Sequence, residues 1–329
     1  MEKKYKLTNE FITINKITAR KVYRIKALCD FGDVKKGDIG GYIESEKNLS
    51  HRGSAWVYDN ARVSGKAHVL DNAQVLGNAR VFGNAEVSGN ARVLGSAWVY
   101  DNARVLGKAL VLDNTSVSGN AWVYDNARVY QKTRVFGNAE VSGNAIIYGN
   151  ARVSGNARVS GNARVFDNAE VSGNARVLSS AWVHNNARVY QQARVFGNAR
   201  ISGNAHVLDN ARVLDNAEVF GDTLVSCNAR VSGNAIIYGN ARVSGNAQIS
   251  DNASISSNSD YITVSLIEHY GECVTFFKNK KKGISVICGW YKYDLDGFKN
   301  TVKNEYSGTK YELIYLKAAE LAELQINSK

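Results

Sequence analysis

The 329 residues contain no proline. Proline carries no backbone N–H, so its absence suits a fold in which every internal amide is needed as a donor. Long apolar runs are also missing, and none approaches the roughly 18 residues of a membrane helix. The opening stretch, MEKKYKLTNEF, is charged and lacks an apolar leader region, so no secretory signal is expected. The four cysteines, Cys29, Cys227, Cys273 and Cys288, show no CxxC or other metal-ligand spacing. They read as free thiols in a reducing cytoplasm. Neither a phosphate-binding loop nor a nucleophile elbow occurs. What the chain has in excess is positive charge: 41 Lys and Arg against 30 Asp and Glu, a net +11. That balance favours anionic partners.

The second excess is repetition. From Gly53 to Ser256 the chain divides without insertion into 34 hexads, most often [GD]-N-A-x-V-y. The third position is Ala except for Thr115, Thr133 and Thr223, and the fifth is always Val or Ile. A period of six is not helical. A-x-V-y alternates small, variable, β-branched and variable, so it reads as a short strand with Ala and Val on one face. Gly-Asn or Asp-Asn then reads as a corner, because Gly and Asn tolerate positive φ. Strands and corners without a long return connection wind into a coil. Three hexads close a triangle of eighteen residues, which predicts about eleven coils stacked about 4.8 Å apart around a dry interior.

This pattern, V-x-G-N-A-x, resembles the hexapeptide repeat of left-handed parallel β-helices, and the left hand is implied by that resemblance. Together with RIKALCDFGDVKKGDIGGYIESEKNLS (Arg24 to Ser50) before the repeat, the chain resembles the YdcK-like hexapeptide proteins of phages and prophages. These are uncharacterised and are often described as transferases. The expected fold is therefore an all-β solenoid, a left-handed parallel β-helix over 53–256. A small N-terminal β cap would occupy 1–52 and a C-terminal α+β domain 257–329. In the tail, DYITVSLIE, ECVTFFK and ISVICGWYKY read as three strands, with Asn-Lys-Lys-Lys-Gly as a hairpin turn. Asp294 is placed to cap a helix reaching about Tyr306, and Tyr311 to Gln325 has helical spacing. Caps at both ends would cover otherwise open strand edges.

Hexapeptide acyltransferases, the enzyme comparison that the resemblance raises, use a histidine base in a cleft between subunits. Of the five histidines here, His68, His184 and His206 lie in the repeat, while His51 and His269 lie outside it. Eighteen-residue coils put His68 and His206 on different sides, several coils apart, and no inserted loop builds a pocket around them. Glu86, Glu140, Glu170 and Glu218 each have an arginine one coil away, which predicts cross-strand ion pairs rather than an acid pair. No catalytic residue, metal ligand or cofactor is expected.

The outward positions carry two columns. Arg158, Arg176, Arg194, Arg212 and Arg230 stack on one side, where mutual repulsion would be relieved by an anionic ligand or nucleic acid. On another side Leu76, Leu94, Leu112, Tyr130, Tyr148 and Phe166 form an apolar stripe suited to a protein partner or self-association. The expected function is a non-catalytic scaffold or binding protein of phage or prophage type. The alternatives are an anti-defence protein that sequesters a host factor or anionic signal, and an acyltransferase relative. No membrane association is expected.

Overall fold

A computed structural model of the chain describes residues 3–15, 19–265 and 273–328. His269 and the end of the strand expected over Asp260 to Glu268 lie outside the described residues. The chain divides into two compact units, Met1–Asn174 and Ala175–Lys329, each containing part of the repeat.

In both units each hexad contributes a two-residue strand, such as Arg92–Val93 or Arg194–Val195. These strands pair in parallel with the hexad eighteen residues away, as in Arg92↔Leu110 and Arg194↔Arg212. Successive hexads enter three different sheets, so the fold is a parallel β-solenoid. Every Ala of the third position and every Val or Ile of the fifth is fully buried, which makes a dry core of small and β-branched side chains. Leu94 N–H donates to Val111 oxygen at 2.9 Å, and the pattern continues from coil to coil.

The corners differ from the sequence expectation in an informative way. Positive φ falls on the first residue of all 34 hexads, whether Gly89 (φ 71°), Asp113 (φ 62°) or Cys227 (φ 58°). The following Asn does not adopt it. Where the turn closes with a hydrogen bond, as Ala91 N–H to Ser88 oxygen, its first central residue carries the positive φ of a II′-type turn. The Asn side chains instead form ladders: Asn84 Nδ2 donates to Asn102 Oδ1 at 2.8 Å, and Asn102 to Asn120 at 2.9 Å. Asp at the first position has its own task. Its carboxylate accepts the backbone N–H one coil on: Asp113 accepts that of Gln131 (3.1 Å) and Asp209 that of Cys227 (2.9 Å).

A parallel stack ends with unpaired carbonyls at one end and unpaired amides at the other. In the first unit, the antiparallel strands Tyr5–Asn15, Arg20–Ala27 and Ile39–Ile43 continue into the solenoid, because Tyr42 and Ile43 pair in parallel with Arg62 and Val63. Lys4 Nζ donates to the Gly53 and Ala55 oxygens, and Asn48 Nδ2 donates to those of Gly65 and Ala67. Gly40 permits this close seat: a Cβ there would lie 2.6 Å from both Trp56 and the Val57 oxygen.

The second unit ends with acceptors. Asn258 Oδ1 takes the Arg242 N–H, Thr275 Oγ1 takes that of Gln248, and Asp260 takes those of Ser256 and Ser257. These groups belong to, or lead into, a four-stranded antiparallel sheet: Tyr261–Ser265, Cys273–Lys278, Ile284–Cys288 and Tyr291–Asp294. Helices α1 (Leu295–Glu305) and α2 (Lys310–Asn327) pack on it through Phe298, Val302, Tyr315 and Ala319. Asp294 caps α1 by accepting the Gly297 N–H at 2.7 Å. The stretch expected as one strand, ISVICGWYKY, is two, broken at Gly289 (φ 58°) and Trp290.

Candidate anion-binding cleft

The arginine column is best seen in the second unit. Arg176, Arg194, Arg212 and Arg230 are direct cross-strand neighbours in successive coils. All four are exposed. Among the described residues none of them has an ion-pair partner, whereas the arginines opposite glutamate do. Arg158 belongs to the first unit and sits opposite Glu140, 3.4 Å from its carboxylate. The pairs Arg104–Glu86, Arg152–Glu170 and Arg200–Glu218 form at 3.5–4.0 Å between well-exposed side chains. Each of these pairs is worth little to stability.

The lower part of the column opens into a cleft of about 670 Å³, all within the second unit. Arg212 and Arg230 line it from the solenoid; Trp290 and Lys292 line it from the C-terminal sheet. Trp290 is 90% exposed, at the tip of the turn that splits the expected strand. Largely buried Cys273 and Ile287 contribute a small apolar surface, with Ile249 of the core behind it. Lys292 is held by Asp251 at 2.6 Å, and the Asp215 carboxylate accepts the Gly233 N–H at 3.0 Å. With Lys292 paired to Asp251, the two guanidinium groups face one remaining carboxylate, that of Asp215, and leave the cleft with a net positive charge. Ser250 also lines the cleft; it is 5% exposed, and its hydroxyl has no hydrogen-bond partner.

The apolar stripe lies in the first unit and is in register, as shown by Leu94 over Leu112 and by the stacked rings of Tyr130, Tyr148 and Phe166. Ring centroids are 5.3 and 4.8 Å apart, nearly parallel. Each of the six side chains is half-buried. The sixth position of the hexad sits beside the corner, where neighbours one coil away cover it, so it presents less surface than the fourth. Burial and the nearby Tyr130 and Asp167 raise the Tyr148 pKa.

The described histidines are scattered. His51 stacks on Tyr5 at 4.3 Å, neither of its ring nitrogens has a hydrogen-bond partner, and burial lowers its pKa. His206 lies 3.4 Å from the Tyr190 hydroxyl and is likewise lowered by burial. His68 and His206 belong to different sheets. None of the described histidines lines the cleft. Among the described residues no group of His, Cys, Asp or Glu is arranged to hold a metal ion, and none of the four cysteines forms a disulfide. No helix among them is long and apolar enough to cross a membrane.

Trp290, Lys292 and Ser250 were not visible as site residues in the sequence. The one available signal was Gly289-Trp290, a turn dipeptide inside an otherwise continuous strand pattern.

A family model described as the YdcK β-solenoid repeat matches residues 55–71, 85–100, 145–159, 157–170, 169–185, 193–209 and 237–247. A comparison with curated proteins finds no match. The matches recur through both units, on segments whose hexads build parallel solenoid coils, and the chain thus carries β-solenoid repeats of the YdcK type.

Proposed function

We propose that this protein is a non-catalytic scaffold or binding protein that engages an anionic partner through the outer face of its second unit. One observation carries the reading: four exposed arginines stand in consecutive coils without a carboxylate partner among the described residues. Like charges about 4.8 Å apart repel by about 1 kcal/mol even in water. A stack that can use glutamate at this position, as it does at Glu140 and Glu218, here keeps arginine instead. A bound anion offsets that repulsion. The family resemblance supports a phage or prophage setting, with the alternative of an anti-defence protein that sequesters a host factor or anionic signal. The acyltransferase alternative finds less support, because no described histidine faces the cleft.

Titration with tripolyphosphate and with a short single-stranded oligonucleotide tests this. Binding is expected to weaken as salt rises and to be lost in an Arg194→Gln/Arg212→Gln/Arg230→Gln variant. Absence of binding to either probe, or binding that the triple variant retains, overturns it.

A second reading rests on the Tyr130–Tyr148–Phe166 stack, a flat, half-buried aromatic surface suited to a second copy of the chain. Light scattering on the intact chain tests it.

A further inference from the structure

We infer that the cleft at the end of the arginine column takes a nucleotide, with phosphate on Arg212 and Arg230 and the base against Trp290. This rests on the anion-binding reading and adds the chemical class of the ligand.

Three features of the cleft point the same way. The first is charge. Arg212 and Arg230 are cross-strand neighbours, so their guanidinium groups present a paired set of donors. Guanidinium forks match phosphate oxygens in geometry as well as in charge. Lys292 pairs with Asp251, and Asp215 is the one carboxylate of the lining, so two guanidinium groups against it leave the cleft positive.

The second is Trp290. A tryptophan 90% exposed at a turn tip gains nothing from the core. Beside two arginines it is a stacking platform, and base–aromatic stacking contributes in a way that a bare anion cannot exploit. Ile287 and Cys273 supply a small apolar surface in the same cleft.

The third is Ser250. A buried hydroxyl without a partner is costly, and Ser250, a residue 5% exposed in the cleft wall, carries one. A ligand with acceptors or donors at its edge, as a base or ribose has, satisfies it. The volume of about 670 Å³ lies in the range of small-ligand sites. The nucleotide could be free or part of a single strand; both present the same phosphate and base.

The test compares four probes by calorimetry: tripolyphosphate, a nucleoside triphosphate, a cyclic dinucleotide and a twelve-residue oligothymidylate. The proteins are the intact chain and the variants Trp290→Ala, Ser250→Ala, Arg230→Gln and Arg176→Gln. At least one nucleotide probe should bind about tenfold or more tightly than tripolyphosphate. Trp290→Ala should remove that advantage and leave tripolyphosphate binding unchanged. Ser250→Ala should weaken nucleotide binding while leaving the melting temperature unchanged or higher, which a structural role would not do. Arg176→Gln, two column positions from Arg212 with Arg194 between them, should weaken the oligothymidylate if a strand is the source. It should spare the small nucleotides if they are.

If tripolyphosphate binds as well as every nucleotide and Trp290→Ala changes nothing, this inference is overturned while the anion-binding reading stands. If no probe binds, both fall together.

Discussion

The Lys4 ammonium donates to the Ala55 carbonyl oxygen at 2.8 Å, although Lys4 is only 4% exposed. A buried lysine closes the carbonyl end of the first unit's coils, and in the second unit Thr275 Oγ1 accepts the Gln248 amide at 3.0 Å. Burial lowers the Lys4 pKa from 10.5 to about 8. The folded chain then binds fewer protons than the unfolded chain between about pH 8 and 10.5. The contribution of Lys4 to stability therefore rises with pH across that window. Urea unfolding of wild type and Lys4→Met should show this: the variant loses about 1–3 kcal/mol by leaving carbonyls unpaired, and the difference widens from pH 8 to 10.

At the corners, Asp113 combines a φ of 62° with a carboxylate that accepts the Gln131 N–H. Asp113→Ala keeps the strain and loses the acceptor, at a cost of about 1–3 kcal/mol. Asp113→Gly relieves the strain and should cost less. Denaturant midpoints of the two variants would show the order, and equal losses would mean that the carboxylate matters and the backbone does not.

The threonines that replace core alanine are not equivalent. Thr133 Oγ1 donates to the Tyr130 oxygen, whereas the buried Thr223 hydroxyl has no partner. Thr223→Val should raise stability by about 1 kcal/mol, and Thr133→Val should leave it unchanged or lower. Thermal unfolding of the two single variants checks the contrast.

If the aromatic stack is an interface, Tyr148→Glu should convert an oligomer to a monomer in multi-angle light scattering, without changing the circular dichroism of the intact chain. A monomeric wild type removes that reading.

The solenoid was legible because one rule, small and β-branched residues at the third and fifth positions, is written 34 times. The register followed too: Glu140 meets Arg158 and Glu218 meets Arg200 where counting by eighteen puts them. The corners were less legible. Gly-Asn names two residues that tolerate positive φ, and only the backbone shows that the first takes it while Asn builds a ladder. The cleft was not legible at all. Ser250, a solenoid residue, meets Trp290 and Lys292 of the C-terminal sheet only after that sheet docks on the last coils through contacts such as Thr275 with Gln248. No local pattern encodes that juxtaposition.

The most direct test of the central claim is calorimetric titration of the intact chain with tripolyphosphate at low and physiological salt, beside the Arg194→Gln/Arg212→Gln/Arg230→Gln variant. The arginine column predicts binding that weakens with salt and is lost in the variant. Absent binding, or binding that the variant preserves, would contradict it.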